Sequence, residues 1–286
     1  MGATFGCKER CCILVGELRR IQLDRRDRIL VFTATYNEAG NVERLCRAIL
    51  ALDVEADILV LDDNSPDGTG AIVDRLAAAD GRVHVVHRPA KLGLGTAHVE
   101  GILWAYEHGY SHLVTMDCDF THPPEEIPRF VELAPECHVV VGSRFLRRDS
   151  LPGWNWLRRT LTKTAHAATR LFLGMPLDAT GSFRLYRLDL LPRELFLLVR
   201  SRGYSFFFES LFLLWHNGVE ARQVALTLPA RESGSSKMRV RDGWQSVRML
   251  VGLTVRRVVG DGSLRCGRAI GAVRAGEAVG QPYAGA

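Results

Sequence analysis

The chain has 286 residues, 47% hydrophobic and 24% charged, with a formal net charge of +5. That length suits one large α/β domain, or one domain with tails, and the composition is ordinary for a soluble globular protein. So small a basic excess favours phosphate-bearing or anionic-surface partners and does not call for nucleic acid.

Seven cysteines are scattered without a framework. Cys7, Cys11 and Cys12 cluster near the start with no His or second Cys pair at zinc-like spacing, so reduced thiols in a cytoplasmic setting are expected. The first apolar patch, Cys12-Ile13-Leu14-Val15, is too short for a signal peptide core. No stretch approaches the ~18 apolar residues of a membrane span. Phe206-Phe207-Phe208 comes nearest and is cut by Glu209-Ser210. No transmembrane helix is predicted.

Residues 1–27 lack periodicity and read as a variable leader. From Arg28 strand, turn and helix repeat. Strands are predicted at 29–34, 58–61, 83–87, 113–116 and 139–141. Helices are predicted at 41–52, 68–79 and 94–108, with another starting near Pro124. Apolar runs without alternation belong to strands covered on both faces, so the fold class is α/β: a mostly parallel central sheet flanked by helices. The second half is less regular. A long basic helix spans 154–173, a strand 183–186 and an apolar helix 204–216. A strand over 219–228 alternates as if half exposed, and a helix covers 243–258 after the loop 229–240. The domain is expected to run from 28 to 258, and 259–286 to form a disordered tail.

Asp117-Cys118-Asp119 closes the fourth strand and opens into Phe120-Thr121-His122-Pro123-Pro124. Two carboxylates one residue apart at a strand end project into the crevice where open α/β sheets bind ligands. There they can hold a hard divalent cation that neutralises a diphosphate. A second acidic pair, Asp62-Asp63, closes the second strand, and Asn64-Ser65-Pro66-Asp67-Gly68-Thr69 is a turn signal in which Asp67 or Thr69 can cap the next helix. Asp63 can instead accept from ring N–H groups of guanine or uracil. After the first strand, Thr35-Tyr36-Asn37-Glu38 reads either as a turn before Asn41 or as a base-stacking ring with a ribose-binding carboxylate. Gly93-Leu94-Gly95 completes no dinucleotide fingerprint. Arg144 ends the fifth strand, and its planar fork suits a phosphate. Arg158 and Lys163 either line the same cleft or form a solvated face. Arg231 and Lys237 bound a loop that reads as a linker or as a closure over an anion.

In order, the chain carries Tyr36-Asn37-Glu38, Asp62 to Thr69, Lys91 to Ala97, Asp117/Asp119 with His122, Gly142-Ser143-Arg144, Asp178 to Arg184, and Ser236-Lys237. This ordered set resembles the family 2 glycosyltransferases, and within them the dolichol-phosphate (polyprenol-phosphate) mannosyltransferases, from about Ile29 to Leu250. The resemblance implies a single GT-A-like domain with a nucleotide pocket at Tyr36, Glu38, Leu61 and Asp63. It implies Mg2+ or Mn2+ on Asp117 and Asp119, assisted by Thr121, with the Cys118 backbone beside the diphosphate. Arg144 and Arg158 are expected at phosphates, Arg231 and Lys237 on a mobile loop, and Asp119, Arg144 and Arg158 in catalysis. Ala34 stands where the family usually has proline, and Thr121 where Gln or Ser is frequent.

The implied reaction is inverting transfer of a hexose, mannose from GDP-mannose, to a polyprenyl or dolichyl monophosphate. UDP-glucose, undecaprenyl phosphate or a non-lipid acceptor are the alternatives within the fold. A nucleotidyltransferase would want a glycine-rich loop after the first strand, and a non-enzymatic scaffold has no use for these acids and arginines. A lipid acceptor implies a protein peripheral on the cytoplasmic face of a membrane. It would dock through the segments 154–163 and 244–258 or through a small membrane subunit.

Overall fold

The computed structural model describes residues 27–147, 150–228 and 240–273. Most of the predicted leader, and the loop bearing Arg231 and Lys237, lie outside the described residues. The strands are β1 (Ile29–Thr35), β2 (Ala56–Asp62), β3 (Val83–His87), β4 (His112–Thr115), β5 (Val139–Ser143), β6 (Arg184–Arg187) and β7 (Ala221–Ala225). The helices are α1 (Val42–Leu50), α2 (Thr69–Ala79), α3 (Leu94–Glu107), α4 (Ile127–Leu133), α5 (Trp156–Leu173), α6 (Glu194–Leu197), α7 (Phe206–His216) and α8 (Val240–Val258).

The strands lie side by side in the order β3-β2-β1-β4-β6-β5-β7. All pairings are parallel except those of β6, which runs antiparallel to β4 and β5. Alternate residues of β1 serve opposite layers. Leu30 and Phe32 join one apolar cluster with α3 and α7, while Ile29 and Val31 join another with α1 and α4. On α1 the buried positions Val42, Leu45, Cys46 and Ile49 follow the spacing of a single helical face. Where α3 crosses β1, a Cβ on Gly101 would fall 2.3 Å from the Phe32 ring, so only glycine permits this approach.

Strand order places the functional edge. The chain steps outward from β1 to β2 to β3, then returns to lay β4 on the other side of β1. The carboxyl ends of β1 and β4 therefore flank a topological switch point, where open sheets leave a crevice.

Two expectations are corrected. β7 is buried along most of its length instead of half exposed, because Gln223 turns inward to accept from the Asp178 N–H (3.0 Å) and donate to the Pro176 carbonyl (3.3 Å). Residues 261–273, read as tail, pack against the domain. Leu264 is fully buried, the Cys266 N–H donates to Asn217 Oδ1 and the Gly271 N–H to the Leu190 carbonyl.

Candidate active site

On the β1–β2 flank, short polar side chains knit two loops together. Asp62 accepts from the Thr35 hydroxyl (2.9 Å), the Ser65 N–H (2.9 Å) and the Ser65 hydroxyl (2.5 Å). Ser65 Oγ, Thr69 Oγ1 and Asp67 Oδ2 in turn accept from the N–H groups of Asn37, Glu38 and Ala39. Asn37 and Asn64 both sit at φ 57°, a left-handed backbone that Asn tolerates better than most residues. The turn signal is real, and it also grips the loop after β1. Asp62 is thus a buried structural clamp.

Lys91 Nζ lies 4.0 Å from the centre of the half-buried Tyr36 ring. Glu38 Oε2 accepts from Asn41 Nδ2 (2.8 Å). Leu61, expected in the nucleotide pocket, has its side chain wholly inside the core. Asp63 accepts from Arg88 Nη1 at 2.5 Å, while Arg88 Nη2 donates to Thr96 Oγ1 and Nε lies 3.0 Å from Glu100 Oε2. Burial lifts the Asp63 carboxyl above its ordinary pKa, and Arg88 offsets part of that rise. Sequence reasoning missed Arg88, although it follows β3 at the same sheet edge.

Beyond β4, Asp117 donates its N–H to His122 Nδ1 (3.0 Å), and its Oδ1 accepts from the Ser182 hydroxyl (2.9 Å). Asp119 Oδ1 accepts from the Thr121 hydroxyl (2.6 Å) and N–H (3.2 Å). Thr121 therefore orients a carboxylate here. Between the acids, Cys118 is buried in an apolar cluster, leaving only its backbone to address a ligand. Phe120 is held at φ 57°, with the Arg44 guanidinium 3.9 Å over its ring. A non-glycine residue in left-handed backbone follows β1, β2 and β4 alike, and such strain clusters at ligand sites.

The donor set fits a hard divalent cation. Among the described residues no three His, Cys, Asp or Glu side chains gather as a metal cage. Magnesium-like ions need none, since they use one or two carboxylates with water and substrate phosphate.

On the β5 flank Arg144 donates to Asp178 from its N–H (3.0 Å), Nε (2.8 Å) and Nη2 (2.6 Å), and from Nη2 to Thr180 Oγ1 (2.5 Å). Burial alone would lower the Arg144 pKa, but Asp178 and then Asp117 more than offset it and hold it above its ordinary value. Asp117 is thus among the charges that act on this guanidinium. Asp178 is fully buried, and Arg144, Asp178 and Thr180 form one unit.

Arg144 also lines a cavity of about 570 Å³ with Arg147, Arg159, Lys163, Phe145 and Leu151. No acidic residue lines it among the described residues. Arg159 and Lys163, one helical turn apart on α5, supply its cationic wall. Arg158, the sequence choice, instead lies 3.6 Å over the Trp154 ring, and its N–H is capped by Asn155 Oδ1 (2.8 Å). His166, also unforeseen, stacks on Phe145 at 3.8 Å beside this cavity, and burial lowers its pKa.

A sheet of this order with acids at its switch point and a cationic cavity beside them defines a GT-A-like α/β enzyme. Residues 30–194 match the model of glycosyl transferase family 2, and the chain belongs to that family and is a glycosyltransferase. It is 40% identical over 214 residues to the polyprenol monophosphomannose synthase of Mycolicibacterium smegmatis, covering 74% of this chain and 81% of that one. It is 37% identical over 212 residues to the undecaprenyl-phosphate mannosyltransferase of Micrococcus luteus, covering 74% and 87%. Among solved structures, the glucosyl-3-phosphoglycerate synthase of Mycobacterium tuberculosis, in complex with Mn2+, UDP and its product, shares the fold with a TM-score of 0.54. That match is 21% identical and covers 82% of this chain and 80% of that one.

Proposed function

We propose that this chain transfers mannose from GDP-mannose to a polyprenyl or dolichyl monophosphate, with inversion at the anomeric carbon. The cationic cavity, which no acidic residue lines among the described residues, supports this reading. A hydroxyl acceptor needs a general base beside it. A phosphomonoester, with a second pKa of about 6, is already an anion at neutral pH and needs cations alone. The two mannosyltransferase relatives support the same donor sugar and acceptor class.

Asp63 accepts from the ring N–H groups of the base, Tyr36 stacks against it, and Glu38 takes the ribose hydroxyls. Asp117 and Asp119, with Thr121 orienting the latter, hold Mg2+ or Mn2+ at the diphosphate. When bound, the cation supplies charge neutralisation of the leaving nucleoside diphosphate. Arg159 and Lys163, framed by Arg144, hold the acceptor phosphate in line with the anomeric carbon. Arg231 and Lys237, which lie outside the described residues, are proposed as further phosphate contacts, and Arg158 braces the start of α5 through Trp154. Positioning and fixed charge each lower the barrier by several kcal/mol.

The acceptor tail leaves along α5. Trp156, Leu157 and Leu161 are exposed there, and α8 adds Trp244, Val247, Val251 and Val255. Among the described residues no helix is long and apolar enough to cross a membrane. These stripes, flanked by the exposed Arg170 and Arg248, support peripheral docking on the cytoplasmic face of an anionic bilayer.

The test is product formation from GDP-mannose and from UDP-glucose, each with and without polyprenyl phosphate. GDP-mannose should give a lipid-linked product, and Asp119→Ala should cut its formation roughly 100- to 1000-fold. Transfer from UDP-glucose alone would move the chain to another donor. Full activity in Asp119→Ala would refute the site.

A further inference from the structure

One short segment touches both flanks of the site. Asp178 and Thr180 hold the Arg144 guanidinium, which lines the cationic cavity. Two residues further on, Ser182 donates its hydroxyl to Asp117 Oδ1 (2.9 Å), while its carbonyl accepts from the Thr115 hydroxyl (2.6 Å). The segment is anchored from beneath by Arg184, which is fully buried and donates from Nη2 to the carbonyls of Ala179 and Phe207, both at 2.8 Å. The Gly142 N–H donates to the Phe183 carbonyl (2.9 Å), fixing the segment to β5 as well.

From this geometry we infer that residues 178–182 are a two-ended positioning element. Ser182 fixes the rotamer of the donor-side acid Asp117, and Thr180 with Asp178 fixes the acceptor-side guanidinium of Arg144. Neither hydroxyl touches the reacting atoms. Each acts through the charged group it holds, and the common backbone sets the spacing between cation and acceptor phosphate. The inference rests on the proposed metal and acceptor assignments. It extends them to residues that supply no ligand themselves, and outer hydrogen bonds of this kind tune metal affinity by about 10–100-fold.

Two single-hydroxyl deletions test it, because the two ends predict opposite effects. Mn2+ binding to the full chain is read by the loss of the free-ion EPR signal, in the presence of GDP. Ser182→Ala should weaken Mn2+ about 10-fold, and Ser182→Thr, which keeps a hydroxyl, should restore most of it. Thr180→Ala should leave Mn2+ binding unchanged and raise the KM for polyprenyl phosphate about 3- to 10-fold with little change in that for GDP-mannose. Thermal melting checks that both variants fold. If the unaltered chain binds no Mn2+, the metal assignment beneath the inference fails. If it binds Mn2+ and Ser182→Ala binds equally well, or if both variants shift both readouts together, the positioning role is overturned.

Discussion

Around β1 and β2 the loops are closed on one another, with Asp62, Ser65, Asp67 and Thr69 each bound to a neighbouring turn and Asp63 locked to Arg88. Around α5 and α8 the surface is open. Of the eighteen residues of α5 only Thr169 and Leu173 are buried, and α8 shows water a second apolar stripe beside the one ending in buried Leu253. Under the proposed function, the contrast would reflect two kinds of ligand. A nucleotide is small and polar, and a preformed polar nest suits it. A lipid phosphate brings its own apolar environment, which suits a cationic cavity beside exposed apolar stripes on α5 and α8.

Breaking the closed side should cost most. Arg88→Ala leaves a buried carboxylate without its cation, a change worth roughly 3–5 kcal/mol. The melting temperature should fall, and the KM for GDP-mannose should rise far more than that for the lipid. An unchanged melting temperature would show that the Arg88–Asp63 pair is dispensable. On the open side, Val251→Asp with Val255→Asp should reduce flotation with anionic liposomes about tenfold while leaving melting unaltered. Retained flotation would shift docking to α5 or to a membrane subunit.

How far this contrast could be read from sequence depends on which physics encoded it. The closed side was legible because turn chemistry is local: Asn64 to Thr69 names its own hydrogen bonds. The parallel half of the sheet was equally plain in its apolar runs. The antiparallel entry of β6 and the inward turn of Gln223 depend on partners dozens of residues away. Residues 261–273 are pinned by main-chain hydrogen bonds and by a few scattered apolar side chains, Leu264, Cys266 and Ile270, too sparse to form a hydrophobic period. The sequence did not distinguish Arg158 from Arg159 as the cavity-lining residue, for a geometric reason. Adjacent helical residues point about 100° apart, so a shift of one residue separates the cavity wall from the Trp154 side.

A smaller effect sharpens the picture of the core behind the site. His98, packed between Phe32, Phe206 and Phe207, has its pKa lowered from 6.5 to about 3, chiefly by burial and then by Arg184. The unfolded chain takes up this proton near pH 6.5 and the folded one only near pH 3, so stability falls as pH drops through that window. His98→Phe should flatten the loss of melting temperature between pH 6.5 and pH 4. An identical slope in both proteins would assign the acid sensitivity elsewhere.

The division of labour between the two flanks is tested most directly by the double variant Arg159→Ala with Lys163→Ala. Steady-state transfer should show the KM for polyprenyl phosphate raised about 100-fold, with the KM for GDP-mannose and Mn2+ affinity unchanged, as expected when two charge-assisted contacts to one phosphate are lost. An unaltered lipid KM, or a loss confined to GDP-mannose, would contradict the assignment of this cavity to the acceptor.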